Sequence, residues 1–211
     1  NEYVWFHEHA LEEEPSLRGV RLSFALSYWI ELGKIYPPAL AKLKEITEQK
    51  QQLLENGATE WEIFNDVVAL NEALEEQGAT YKLFVSINNR DPDFAQRCAR
   101  VATPAMVQEK DFQLARSFLP NPVGTIEYLV DQLNKDAAWA TTEADPERRE
   151  RTTEAFLHNY IDDVSMLVHI VASAGDSALS EKMIEMAIDQ ITEEGLRPAV
   201  KEGLGNHSPF P

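Results

Sequence analysis

Apolar positions recur at helical spacing along nearly the whole chain. Ile63, Val67, Leu70 and Leu74 stand at i, i+4, i+7 and i+11, with Phe64 and Val68 widening the band. That spacing marks one buried helix face. Leu157, Ile161, Val164, Val168 and Val171 repeat the pattern, flanked by Phe156, Tyr160 and Leu167. No stretch of strict apolar–polar alternation competes with it, so the pattern predicts helices and no sheet.

The residues between these bands mark helix ends. Asp91-Pro92, Asn121-Pro122 and Asp145-Pro146 each place a capping side chain before a proline at the first helical position. The cap oxygen takes up an orphan N–H, and the proline has none to leave unpaired. Thr59 and Glu62 are spaced as a capping box. Gly57, Gly78 and Gly175 stand where helices should stop in a left-handed residue. Pro37-Pro38 separates two helices. Helices are thus predicted over about 17–35, 38–56, 60–76, 79–90, 92–103, 105–119, 122–138, 147–174 and 178–194. Short connections make neighbours antiparallel. Residues 1–15 read as an N-terminal arm and 203–211 as an extended tail. The whole of 1–211 reads as a single helical-repeat domain, because no connection is long enough to be a linker. Thr141 to Asp145 is the one seam, setting the last two helices off as an end cap.

Composition strengthens the all-α reading. Ala, Glu and Leu, all strong helix formers, supply about a third of the residues. Charge narrows the partners. With 36 acidic and 19 basic side chains the net charge is −17. That excess argues against nucleic acid, whose recognition rests on Lys and Arg, and against anionic lipid. No apolar run is long enough to span a bilayer. The single cysteine, Cys98, permits no internal disulfide and reads as a small core residue. The first residues lack the pattern of a signal peptide, so the expected location is cytoplasmic.

Several residues carry a family resemblance. Asp111-Phe112-x-x-Ala115-x-x-x-Leu119 followed by Pro120 resembles the second helix of a tetratricopeptide repeat. Leu32-Gly33-x-x-Tyr36 resembles the Leu-Gly-x-x-Tyr element of the first. Thr80 to Ala115 spans 35 residues, close to the family period of about 34. Gly175-Asp176 with Ile184 and Ala187 looks like a third, degenerate copy, whereas the middle pair lacks the Trp and Leu-Gly of the first helix. The resemblance covers about residues 20–195. It implies an α-solenoid of eight or nine helices in stacked antiparallel hairpins and says nothing of chemistry.

Candidate chemistry is sparse. His7-Glu8-His9 is the nearest approach to a metal pair, but i and i+2 face one side only in an extended segment. No further histidine is near in sequence, so no metal or cofactor is expected. His158, Asp162, Ser165 and His169 form a polar stripe on the predicted helix 147–174, beyond the edge of its apolar face. His158 and His169 are 11 residues apart, roughly 16 Å along the axis, too far to share one ion. The stripe is the candidate binding line, against the plain alternative of a solvated surface with a His158–Asp162 pair. Phe24, Tyr28 and Trp29 read as packing between the first two helices, with Trp5 and Phe6 placed to pin the arm. Glu181, Glu185, Asp189 and Glu193 make an acidic stripe on the last helix. Neither Gly-x-Ser-x-Gly, a phosphate loop nor His-Glu-x-x-His is present.

The expected function is a non-enzymatic scaffold that binds a neutral or basic protein or peptide on a helical-repeat surface. An inhibitor or immunity-type protein neutralising a basic partner is its narrower form. The competing class is an enzyme or small-ligand sensor with a pocket near His158 and His169. Exposed apolar residues leave a homodimer open.

Overall fold

The computed structural model describes residues 2–206, and among them every regular element is helical. The elements are α1 (Glu2–Glu13), a 3-10 turn (Pro15–Leu17), α2 (Arg18–Leu22), α3 (Phe24–Ile35), α4 (Pro37–Glu55), α5 (Trp61–Ala73), α6 (Gln77–Arg90) and α7 (Pro92–Gln108). They continue with α8 (Phe112–Ser117), α9 (Pro122–Ala140), α10 (Pro146–Ser173), α11 (Ser177–Asp189), a second 3-10 turn (Glu194–Leu196) and α12 (Arg197–Asn206). The all-α expectation holds, and no helix is long and apolar enough to cross a membrane among the described residues.

The proline caps form as their chemistry dictates. Asp91 accepts from the Phe94 amide at 2.9 Å, Asn121 from Gly124 at 3.0 Å and Asp145 from Glu147 at 3.0 Å. Gly57 and Gly175 end helices at φ 104° and 103°. Other signals are overridden. α5 begins after Glu60 with no side-chain cap, so the Thr59–Glu62 box does not close. Gly78 sits in the first turn of α6, and the left-handed residue before it is Glu75, at φ 59°. α7 runs through Pro104 to Gln108 rather than stopping at 103. Its buried face, from Phe94 and Cys98 to Met106 and Val107, is continuous across the proline, and burial outweighs the lost hydrogen bond. α11 stops at Asp189, so the acidic stripe ends there as a helix face. Residues 2–13 of the expected arm are helical, and residues 203–206 of the expected tail belong to α12; His207 to Pro211 lie outside the described residues.

The chain divides into two compact units between Lys110 and Asp111, not at Thr141–Asp145, where α9 and α10 pack on each other within the second unit. In the first unit, Leu26, Trp29, Leu43, Ile46 and Leu70 form one core cluster. Phe64, Phe84 and Phe94 meet edge to face at 6.2 and 6.4 Å beside it. Gln51 of α4, Asn71 of α5 and Thr80 of α6 are joined by hydrogen bonds of 3.1 and 3.0 Å. In the second unit, α10 touches α8, α9, α11 and α12. Its core face is Tyr160, Val164, Leu167 and Val171, one position round from the predicted Leu157–Ile161–Val168 edge, which is half-buried.

Candidate functional site

Two features of the first unit stand out, one polar and buried, one apolar and exposed. Both depend on α1.

The buried feature ties α1, α2, α4 and α5 together. Asp66, only 5% exposed, accepts from both terminal nitrogens of Arg21, with Nη1 to Oδ2 at 3.1 Å and a still closer contact from Nη2 to Oδ1. Lys50 Nζ reaches the same Oδ2 at 2.9 Å. His7 completes the cluster, its Nε2 3.8 Å from Asp66 Oδ2, while its backbone carbonyl accepts from Arg21 Nη1 at 2.9 Å. Burial pushes the Asp66 carboxyl pKa up, but Arg21 and Lys50 outweigh it and hold the group below its ordinary value. Burial, reinforced by the Arg21 charge, pushes His7 down to about 4, so the imidazole is neutral. Both terminal nitrogens of Arg21 are engaged within the cluster while its buried Nε has no hydrogen-bond partner among the described residues, and the cluster serves as a clasp for α1.

The exposed feature is lined by α1, which that clasp holds, and by α2 and α3. α1 lays Tyr3 flat on Trp29 at 5.7 Å and sets His7 edge-on to it at 6.4 Å. The outer side of α1 and the facing side of α2–α3 then bound an apolar cleft of about 530 Å³. Trp5 and Phe6 line one wall; Val20, Phe24, Ala25 and Tyr28 line the other. Trp5 is 54% exposed, Phe24 66% and Tyr28 63%. Phe24 and Tyr28 therefore do not pack inward as their spacing suggested; Trp29 and Leu26 do. α3 carries apolar side chains on both faces, and only the Leu26–Trp29–Gly33 face has a partner helix to bury it among the described residues.

The stripe read from the sequence is divided by the fold. His158 is exposed and pairs with Asp162 at 3.3 Å. Ser165 is buried, its Oγ without a hydrogen-bond partner among the described residues. His169 is half-buried, edge-on to Phe112 of α8 at 5.0 Å. On the side of α10 that the periodicity left free, Phe112 of α8 packs against His169 at one end while His158 stays exposed at the other. His158 and Asp162 meet as an ion pair.

His7 and His9 also part company: on a helix they point some 200° apart, His7 into the clasp and His9 toward Glu12 at 3.4 Å. Among the described residues no three His, Cys, Asp or Glu side chains converge as a metal would require. Cys98 is buried, and burial pushes its thiol up to about 12, the setting of an inert core residue. Comparison of the chain with protein-family models, curated proteins and solved structures finds no match.

Proposed function

We propose that the chain is a non-enzymatic scaffold that binds a neutral or basic protein or peptide, and that the α1–α3 cleft is its docking surface. One observation carries the reading: Trp5, Phe24 and Tyr28, three large aromatic side chains, stand more than half exposed around one apolar cleft. Tyr and Trp dominate binding energy at protein interfaces because they bury large area at low entropic cost. Contiguous exposed apolar surface on a folded chain marks an interaction site.

The helical-repeat architecture belongs to the same proposal. From α3 to α5 each helix packs on its next two neighbours: α3 on α4 and α5, α4 on α5 and α6, α5 on α6 and α7. That order is what stacked hairpins of the tetratricopeptide type require. Gly33, of the Leu-Gly element, lets α3 close on α4; a Cβ there would lie 2.8 Å from Leu40 Cβ. The single, buried Cys98 suits a reducing compartment and supports a cytoplasmic setting.

A photo-crosslinking amino acid at Tyr28 tests the proposal, with the same probe at Tyr128, an exposed aromatic of the second unit, as control. The Tyr28 probe should capture a discrete protein that excess unlabelled wild type competes away and a Trp5→Ser/Phe24→Ser competitor does not. Equal capture from Tyr128 would contradict it. So would a small molecule filling the cleft of the purified chain in native mass spectrometry.

A further inference from the structure

Resting on that scaffold reading, we infer that the partner presents a basic amphipathic helix of about three turns to the α1–α3 cleft. Three observations on the cleft converge on this occupant.

The first is length. Phe24, Tyr28 and Ile35 fall within about 40° of one another on α3, and all three are exposed. Phe24 to Ile35 covers 11 residue steps, about 16 Å at about 1.5 Å per step. Ile35 lies beyond the residues that line the cleft, and Glu31, paired with Lys34, stands on the same face between Tyr28 and Ile35. The ridge therefore offers a docked helix apolar anchor sites at Phe24, Tyr28 and Ile35 with a carboxylate between the last two. The second is the charge of the opposite wall. α1 carries Glu2, Glu8, Glu12 and Glu13 and neither Lys nor Arg. On its helical projection Glu2, Trp5, Phe6 and Glu13 share one face, so carboxylates stand at either end of the aromatic wall. Cationic side chains flanking an apolar stripe meet that arrangement, and acidic ones are repelled by it.

The third bears on the other occupants. A second copy would bring the same acidic α1 face, and a net charge of −17, against itself. Acidic rims likewise repel an anionic bilayer. The cleft is also pre-formed: the His7–Arg21–Lys50–Asp66 clasp fixes α1, so a docking helix need not order its own site.

The probe is an 18-residue capped peptide of Leu and Lys with Leu at i, i+3, i+4 and i+7, titrated by calorimetry and Trp fluorescence. Its controls are the same composition in strict alternation and the same pattern with Glu for Lys. The Leu/Lys helix should bind at least tenfold tighter than either control. Phe24→Ser/Tyr28→Ser, both exposed, should weaken it at least tenfold with the helical circular-dichroism signal unchanged. Glu2→Gln/Glu13→Gln should weaken it about three- to fivefold at low salt and flatten the salt dependence. Tyr128→Ser/Trp139→Ser, in the second unit, should leave it unaltered. Equal binding of the Leu/Glu helix overturns the inferred charge, and equal loss in the second-unit variant overturns the site. Cleft-dependent binding of phosphatidylcholine vesicles, or a dimer that Phe24→Ser/Tyr28→Ser dissolves, also overturns it. If Tyr28 still crosslinks a cellular protein while the Leu/Lys helix fails to bind, the partner class falls and the scaffold stands. If both fail, both fall.

Discussion

At the scale of the residue, Asp66 has the largest expected effect. It faces two cations, Arg21 and Lys50, and a neutral imidazole, His7, in a nearly dry setting. Replacing a hydrophobic cluster there by charges gains little net stability, but removing one member strands the others without a counter-charge. Asp66→Asn, nearly isosteric, should therefore cost about 3–5 kcal/mol in urea unfolding. His7 sets a separate pH response. In the unfolded chain an imidazole takes up its proton near pH 6.5, whereas in the fold His7 resists until about pH 4. Between those values the unfolded state binds more protons, so stability is full above pH 6.5 and falls as the pH drops toward 4. The loss should be on the order of 3 kcal/mol, and His7→Gln should abolish that part of it. Asp66, held below its ordinary value, keeps its contribution through this window and loses it only at still lower pH. Urea titrations of wild type and His7→Gln at pH 7, 5.5 and 4.5 measure the difference.

Among the elements, close approach and backbone chemistry give opposite predictions for two helices. Gly33 of α3 leaves no room for a methyl group against Leu40. Gly33→Ala should destabilise by about 1–3 kcal/mol, as overpacked sites do, despite the helix propensity it gains. Pro104 is exposed and interior to α7. Pro104→Ala restores a donor and removes a clash with the preceding turn, at a small entropic loss in the unfolded chain, and should stabilise by about 1–2 kcal/mol. Thermal unfolding followed at 222 nm reads both. The same elements show what was legible in the sequence and what was not. Helix ends written in local chemistry, such as Asp91-Pro92 and Asn121-Pro122, could be read because the cap and its amide lie within three residues. Pro104 misled because α7 is held by burial along its whole length, which no local signal reports. The stripe on α10 was visible as a pattern, yet the burial of His169 depended on Phe112 of α8, whose position is a tertiary fact. Asp66 inside the α5 band and Arg21 45 residues before it carried no periodic signal that they would meet. The cleft had one unused signal: α3 is apolar on nearly every side, with only Glu31 and Lys34 charged, and a helix of that kind needs a second covering surface.

For the whole molecule, the division at Lys110 and the acidic surface set the expectations. Each unit has its own apolar core, Leu26–Trp29–Leu43 in the first and Ile126–Val164–Met183 in the second. Residues 1–110 expressed alone should therefore fold with a cooperative helical melt and keep the cleft, which lies wholly within them; a non-cooperative melt would show that the unit cannot stand alone. The acidic excess is spread over both units, 18 carboxylates against 11 Lys and Arg in residues 1–110 and 18 against 8 in the remainder. An excess of that kind would speed encounter with any basic partner without saying where a partner docks. In the scaffold we propose, the cleft is that location, and covering it on complex formation is the event the proposal predicts. Hydroxyl-radical footprinting of the full chain, free and in complex with the protein captured through Tyr28, measures it residue by residue. Oxidation of Trp5, Phe24 and Tyr28 should fall several-fold in the complex while that of Tyr128 and Trp139 stays unchanged. Unaltered oxidation at Trp5, Phe24 and Tyr28, with protection appearing instead at Tyr128, Trp139 or His158, would contradict docking at the α1–α3 cleft.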